Sequence, residues 1–251
     1  MLFICIPAYN EAPTVGLLLW RIRRVFEDYP REYEVIVLDD ASTDATPELL
    51  KPYTKVLPLT VIRNEERKGY AAALDTLART ASQRTRYPRR DAMLVMQADF
   101  TDQPEHIPEL VKRFEGGADM VIAEQSVIPA SAPVAVRRLR RIAPWVVRPF
   151  MRLPGVADPL GSFRIYRIAL LRELFKQVGN APIVHWDGWA ANIELLMKLS
   201  RFARRIETVE LAARYDLRPR ESRVRALAGA VDLFKFGRSQ RAHQLVARSS
   251  S

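Results

Sequence analysis

EVIVLDDASTDATPELL, residues 34–50, joins two unlike pieces of chain. It opens on a short aliphatic run, too brief for a stable helix, that closes on the carboxylates Asp39 and Asp40. It ends on Thr46-Pro47 and two leucines, with a proline suited to the first turn of a helix. The stretch therefore predicts a buried strand over 34–40, a polar turn, and a short helix over 46–53.

The same unit recurs on either side. LFICI (2–6) reads as a strand and is followed from Pro13 by a helix with Val15, Leu18, Leu19, Ile22, Val25 and Phe26 on one face. VLPLTVIRN (56–64) is a third strand whose proline fits an edge or a bulge. A helix over 69–81, a strand AMLVM (92–96), a helix over 104–114 and a strand ADMVIA (118–123) follow. This alternation predicts an α/β fold with a mainly parallel central sheet and helices on both faces. After residue 124 the pattern changes to a Pro/Ala/Ser loop, the basic stretch VRRLRRIAPWVVRPFMRLPG, and one further strand, SFRIY (162–166). The second half reads as a basic region wrapped on the sheet, so the expected division is 1–125 and 126–251 within one continuous domain.

Charge divides at nearly the same place. Residues 1–136 carry 16 Lys and Arg against 20 Asp and Glu, whereas residues 137–251 carry 23 against 9. Different partners are expected for the two halves. A solvated basic face and a phosphate-binding face both account for the arginine-rich end. Nucleic acid is the least favoured partner, because the chain also carries an acidic strand-end cluster and no RNA- or DNA-binding motif. The single cysteine, Cys5, excludes a disulfide framework. MLFICIPAYN meets Pro7 too early for a signal peptide or anchor, and no uncharged apolar run reaches membrane-spanning length, so the expected location is cytoplasmic. Residues 134–153 mix six arginines with apolar side chains, as in a helix lying on an anionic membrane surface or one packed on the core, with Pro144 and Pro149 breaking its length.

Polar residues gather at the strand ends: Pro7 to Glu11, Asp39 to Asp44, Arg63-Asn64, and Gln97 to Asp99. In a parallel sheet these ends share one edge, where ligands bind. IPAYNEAPTVGLLL, VIVLDDASTDATPELL, VIRNEERKGYAAAL and QADFTDQPEHIPELV resemble, in order and spacing, the motifs of the family-two inverting glycosyltransferases of GT-A fold. The resemblance covers residues 2–125 and continues loosely through DPLGSFRIYR (158–167), WDGWAANIELLMKLSRFARRIETVEL (186–211) and YDLRPRESRVR (215–225). It is greatest toward the polyprenyl-phosphate sugar synthases, the dolichol-phosphate mannose synthase branch.

The resemblance implies roles for the matched residues. Pro7, Tyr9 and Glu11 would border the base and ribose of a GDP- or UDP-hexose, Asp40 would read the base edge, and Arg63 and Lys68 would hold the base or approach the phosphates. Asp39 and Asp44 sit in capping sequences and are expected to support the turn. The family's Asp-x-Asp metal motif reads Gln97-Ala98-Asp99 here, with Thr101 where a glutamine is common. Asp99 would be the direct ligand for Mg²⁺ or Mn²⁺ and Gln97 a neutral oxygen donor, in a site that leans on the diphosphate. Asp102, just before Pro104, is expected to cap the next helix. A hydroxyl acceptor would need a base, for which Asp187 and Asp158 are candidates. An already ionised polyprenyl phosphate needs cations, for which Arg164, Arg218, Ser222 and Arg223 are candidates, although Glu221 replaces a common glycine in that segment. The leading expectation is hexose transfer to a polyprenyl phosphate with inversion, at the inner face of the membrane. Transfer to a glycan or small-molecule hydroxyl is the second, and nucleotide binding without catalysis the third.

Overall fold

A computed structural model describes residues 1–125, 132, 134–147, 155–211, 231 and 233–238. In chain order the elements are β1 (Leu2–Ala8), α1 (Ala12–Asp28), β2 (Tyr33–Asp39), α2 (Thr46–Leu50), β3 (Leu59–Arg63), α3 (Tyr70–Arg84), β4 (Ala92–Val95), α4 (Ile107–Glu115), β5 (Met120–Glu124), α5 (Val134–Val147), β6 (Arg164–Arg167), α6 (Ile168–Val178), α7 (Gly188–Ser200) and β7 (Ile206–Glu210). Short 3₁₀ turns extend α2 through Lys55 and introduce α4 from Pro104.

β1 alternates its side chains between two helical layers, as strand geometry requires. Leu2, Ile4 and Ile6 pack with Leu18, Leu19 and Ile22 of α1 and with Leu110 and Phe114 of α4. Phe3 and Cys5 face the opposite layer, among Leu74 and Leu77 of α3, Leu171 of α6 and Leu195 of α7. Burial pushes the Cys5 thiol up, so it packs as a small apolar side chain. With apolar cover on both faces the strands need no polar side, which is why β1, β4 and β5 are buried from end to end.

Among the described residues the sheet has seven strands in the order β3-β2-β1-β4-β6-β5-β7. β3, β2, β1 and β4 are mutually parallel, β5 and β7 are parallel, and β6 runs against both its neighbours. The second half thus does more than wrap the sheet: β6 is inserted between β4 and β5, and β7 forms an edge. β3 is the other edge, with Pro58 just outside it and the Pro58 carbonyl accepting from Val35 N. The chain adds strands outward from β1 to β3 and then returns to the far side of β1 with β4, so a topological switch point falls between β1 and β4.

Candidate active site

The carboxyl ends of β1, β2, β3 and β4 share one edge, with Ala8 level with Asp39 and Asp39 level with Arg63. The loops leaving this edge are strained. Among the described residues, the three non-glycine residues with positive φ are Asn10 at 51°, Ala41 at 57° and Phe100 at 64°, each close behind β1, β2 or β4. A left-handed backbone costs such residues about 1–2 kcal/mol, so neighbouring contacts must hold it. Asn10 N donates to Ser42 Oγ at 2.8 Å, Thr43 N to Asn10 Oδ1 at 2.8 Å, and Glu11 N to Thr46 Oγ1 at 2.8 Å. Asp39 Oδ1 accepts from Ser42 N, and Asp44 accepts from the amides of Ala12 and Thr46. Burial pushes the Asp44 carboxyl up, but the Thr46 and Ala12 hydrogen bonds outweigh it and hold its pKa below the usual range. Asp39 therefore supports its own turn, and Asp44 ties that turn to the start of α1.

Pro7 is buried in β1, and Glu11 is buried with its Oε2 accepting from the Thr14 hydroxyl at 3.1 Å. The Arg67 guanidinium lies 4.0 Å over the Tyr9 ring. Arg63 is half exposed; its Nη2 donates to the Ser42 carbonyl at 3.2 Å and its Nη1 lies 3.5 Å from Asp39. Asp40 organises the next loop. Its Oδ1 accepts from Asn64 Nδ2 and Lys68 N, and its Oδ2 from Gly69 N, each at 2.8 Å. Gly69 has φ +91°, a backbone conformation that favours glycine, and a Cβ there would lie a tight 3.1 Å from Asp187 Oδ2. The Lys68 side chain stays exposed.

At the end of β4, Asp99 is buried and its Oδ1 accepts from Thr101 N at 3.0 Å. Gln97 is not a simple stand-in for a carboxylate. Its Nε2 donates to Ser162 Oγ at 3.1 Å, and its side chain also reaches the Tyr70 hydroxyl. Asp102 departs from its expected role as a helix cap. It turns back so that Oδ2 accepts from Gln97 N at 2.9 Å, and no side chain caps the turn at Pro104. Burial dominates its titration and pushes the carboxyl up to about 6, against the Gln97 amide, Arg140 and Ser162. The loop of 97–102 is thus closed on itself, which fixes where Asp99 lies. Among the described residues no group of three or more His, Cys, Asp or Glu is placed to hold a metal ion. The hard oxygens of Asp99 and Gln97 suit Mg²⁺ or Mn²⁺ only as part of a set completed by a diphosphate.

On the other side, Asp187 caps α7. Its Oδ1 accepts from Gly188 N and from Ala71 N at the start of α3, each at 3.0 Å, while the residue stays exposed. Two sequence assignments are overturned here. Arg164 is fully buried and donates to the carbonyls of Asn192 at 2.7 Å and Pro159 at 2.5 Å, so it clamps α7 to β6 and does not face an acceptor phosphate. Asp158 is buried in an ion pair with Arg140 Nη1 at 2.6 Å, and its oxygens also accept from the amides of Gln125 and Leu160, so it is enclosed and already engaged where a base would have to meet an acceptor hydroxyl. Arg218, Ser222 and Arg223 lie outside the described residues. Sequence reasoning missed Tyr70, Ser162 and Asn192. The amide of Asn192 inside the apolar run AANIELLM was the available signal, since a buried polar group demands a partner.

Residues 3–175 match the family described as Glycosyl transferase family 2. A dolichol-phosphate mannosyltransferase of Pyrococcus furiosus is 29% identical over 199 residues, covering 78% of this chain and 52% of that protein. A bactoprenol glucosyl transferase of Shigella phage SfX is 24% identical over 215 residues, covering 80% of this chain and 64% of that protein. The chain therefore spans between half and two thirds of the length of these relatives. Among solved structures, glucosyl-3-phosphoglycerate synthase from Mycobacterium tuberculosis, in complex with Mn²⁺, UDP and phosphoglyceric acid, aligns with a TM-score of 0.65 at 21% identity, over 96% of this chain and 78% of that one. A mannosyltransferase from Pyrobaculum calidifontis, in complex with GDP-Man and Mn²⁺, aligns with a TM-score of 0.54 at 24% identity, over 83% and 54%. The fold is that of the GT-A glycosyltransferases.

Proposed function

The chain belongs to glycosyl transferase family 2, and from that membership we propose that it moves a hexose from a GDP- or UDP-sugar to a polyprenyl phosphate with inversion. The observation that carries this reading is the row of carboxylates at the switch point, Glu11 beside β1, Asp40 beside β2 and Asp99 beside β4. Glu11 and Asp40 offer acceptors to ribose hydroxyls and to a base N–H. Asp99, helped by the Gln97 amide oxygen, would hold a divalent cation. When bound, that cation supplies positive charge against the departing diphosphate. Inversion follows from in-line displacement without a covalent intermediate.

The acceptor is inferred from the curated relatives, whose names specify dolichol phosphate and bactoprenol, and from the exposed cations Arg137, Arg138 and Arg141 of α5. Among the described residues no helix is long and apolar enough to cross a membrane. In this reading the exposed cations of α5 meet a lipid acceptor at the bilayer surface, on its cytoplasmic side. One observation favours a second reading, transfer to a glycan hydroxyl: Asp187 is an exposed carboxylate beside the first turn of α3.

Release of nucleoside diphosphate from a panel of GDP- and UDP-hexoses, with and without chelator, tests the reaction. Asp99→Asn should lower turnover by about hundredfold or more, and absence of turnover in the unaltered protein would defeat the reading. Polyprenyl phosphate should raise the rate, with Asp187→Asn, which keeps the oxygen that accepts from Gly188 N and Ala71 N but cannot act as a base, leaving it nearly unchanged. A rate raised only by a glycan and lost in Asp187→Asn would establish the second reading instead.

A further inference from the structure

The first turn of α3 collects groups from both sides of the site. On the nucleotide side, Asp40 accepts the amides of Lys68 and Gly69. On the acceptor side, Asp187 accepts the amide of Ala71, and the Tyr70 hydroxyl donates to Asn192 Oδ1 at 2.7 Å. The Gln97 side chain reaches the same hydroxyl from the end of β4. Asn192 is itself immobilised, with Nδ2 donating to the Leu160 carbonyl at 2.9 Å and its own carbonyl accepting from Arg164 at 2.7 Å. Tyr70 thus stands where the loop held by Asp40, the β4 end that carries Asp99, and α7 all meet.

We propose that Tyr70 is a positioning residue, whose hydroxyl sets the register of α7, and with it Asp187 and the loop before it, against the nucleotide site. Burial pushes the Tyr70 phenol well up, so it remains a neutral donor throughout the working pH range. Loss of the hydroxyl leaves the Asn192 oxygen buried without its donor, and the helix shifts to find water or another partner. On the nucleotide side Asp40 keeps its own supports, being held by Asn64 and by backbone amides, and Gln97 keeps its bond to Ser162 when the phenol is removed. Displacement of the acceptor side by a fraction of an ångström costs rate without costing donor affinity. The inference rests on the glycosyltransferase reading, because only transfer between two bound substrates makes this spacing matter.

The test compares the unaltered protein with Tyr70→Phe, Asn192→Leu, Asn192→Asp and the double variant Tyr70→Phe/Asn192→Leu. GDP and UDP affinity is measured by calorimetry, and kcat and donor KM by nucleoside diphosphate release with polyprenyl phosphate present. Tyr70→Phe and Asn192→Leu should each lower kcat about tenfold or more, with donor KM and nucleotide affinity within about twofold. The double variant should be no worse than the poorer single one, because both remove the same bond. Asn192→Asp keeps the oxygen that accepts from Tyr70 but gives up the donor to the Leu160 carbonyl, and should retain more of the rate than Asn192→Leu, which loses both. An undiminished kcat in Tyr70→Phe, additive losses in the double variant, or a parallel fall in nucleotide affinity would each overturn the inference. If Tyr70→Phe does not fold, Asn192→Asp and Asn192→Leu decide between them, equal rates counting against it. Absence of turnover in the unaltered protein defeats the glycosyltransferase reading and this inference together, whereas full turnover in Tyr70→Phe defeats the inference alone.

Discussion

Asp40, Asp102 and Glu194 are all buried carboxylates, yet their environments assign them different work. Asp40 accepts backbone amides at the start of α3, where the helix terminus favours negative charge. Asp102 accepts from one amide and one hydroxyl, and burial keeps its proton affinity high against these and the charges of Arg140 and Arg164. Glu194 is the ionic member of the set. Burial pushes its carboxyl up, but Lys198 Nζ at 2.7 Å, His185 Nδ1 at 3.0 Å and the His185 amide outweigh that and hold its pKa below the ordinary glutamate value. It also accepts from Trp186 N, so it pins the 185–187 loop onto α7. A carboxylate depressed in the folded state stabilises above its unfolded pKa and loses that contribution as pH falls through the folded value. Thermal unfolding followed from about pH 7 down to about pH 3 should therefore fall more steeply for the unaltered protein than for Glu194→Gln, with the difference developing below about pH 4.3. Parallel curves would show that Glu194 carries no such contribution.

At the scale of elements, α5 shows a division of labour within one helix. Val136 and Arg140 are buried, Arg140 being fixed by Asp158 and lying 5.6 Å from the Trp189 ring, whereas Arg137, Arg138, Arg141 and Ile142 are exposed. The face toward solvent thus carries three cations beside an apolar side chain, the pattern of a surface-lying helix. Each cation near an anionic bilayer contributes about 1 kcal/mol. Arg137→Glu/Arg138→Glu/Arg141→Glu should abolish co-sedimentation with anionic vesicles while leaving nucleotide affinity within about twofold, and retention on such vesicles would refute a membrane role for this face. The elements that the sequence made legible are those with clear borders, such as β1, β2, α1 and α4, each closed by proline or by polar turn residues. Less legible were α6, which follows β6 without an intervening turn residue, and α7, whose run AANIELLM is buried on nearly every side and so shows no period. β7 hid for the opposite reason: in IETVE only Val209 is buried, and an edge strand with glutamates reads as loop.

At the scale of the whole molecule, local pattern predicts strands but not their neighbours. The strand ends of β1 to β4 were legible as one edge because right-handed crossovers leave a run of strand-helix units little choice. The Asp40 loop, the closure of Asp102 onto Gln97, and the clamp of Arg164 on α7 were not, because each joins residues brought together only by the tertiary fold. The place of β6 is the largest case. It pairs antiparallel with Met93 and Leu94 of β4 on one side and with Met120 and Val121 of β5 on the other, so β5 has no partner in the first half of the chain. Met93, Val95, Met120 and Ile122 are covered by a layer that includes Leu171 and Leu174 of α6 and Leu195 and Leu196 of α7. We propose on these grounds that residues 1–125 and 126–251 form a single cooperative unit. A fragment of residues 1–125 would expose that apolar face together with the unpaired edges of β4 and β5, an invitation to aggregation. The full chain should unfold in one calorimetric transition, and the fragment should bind a hydrophobic dye and show no cooperative transition. A soluble fragment that unfolds cooperatively and binds GDP or UDP would instead make the nucleotide-binding half a separate folding unit.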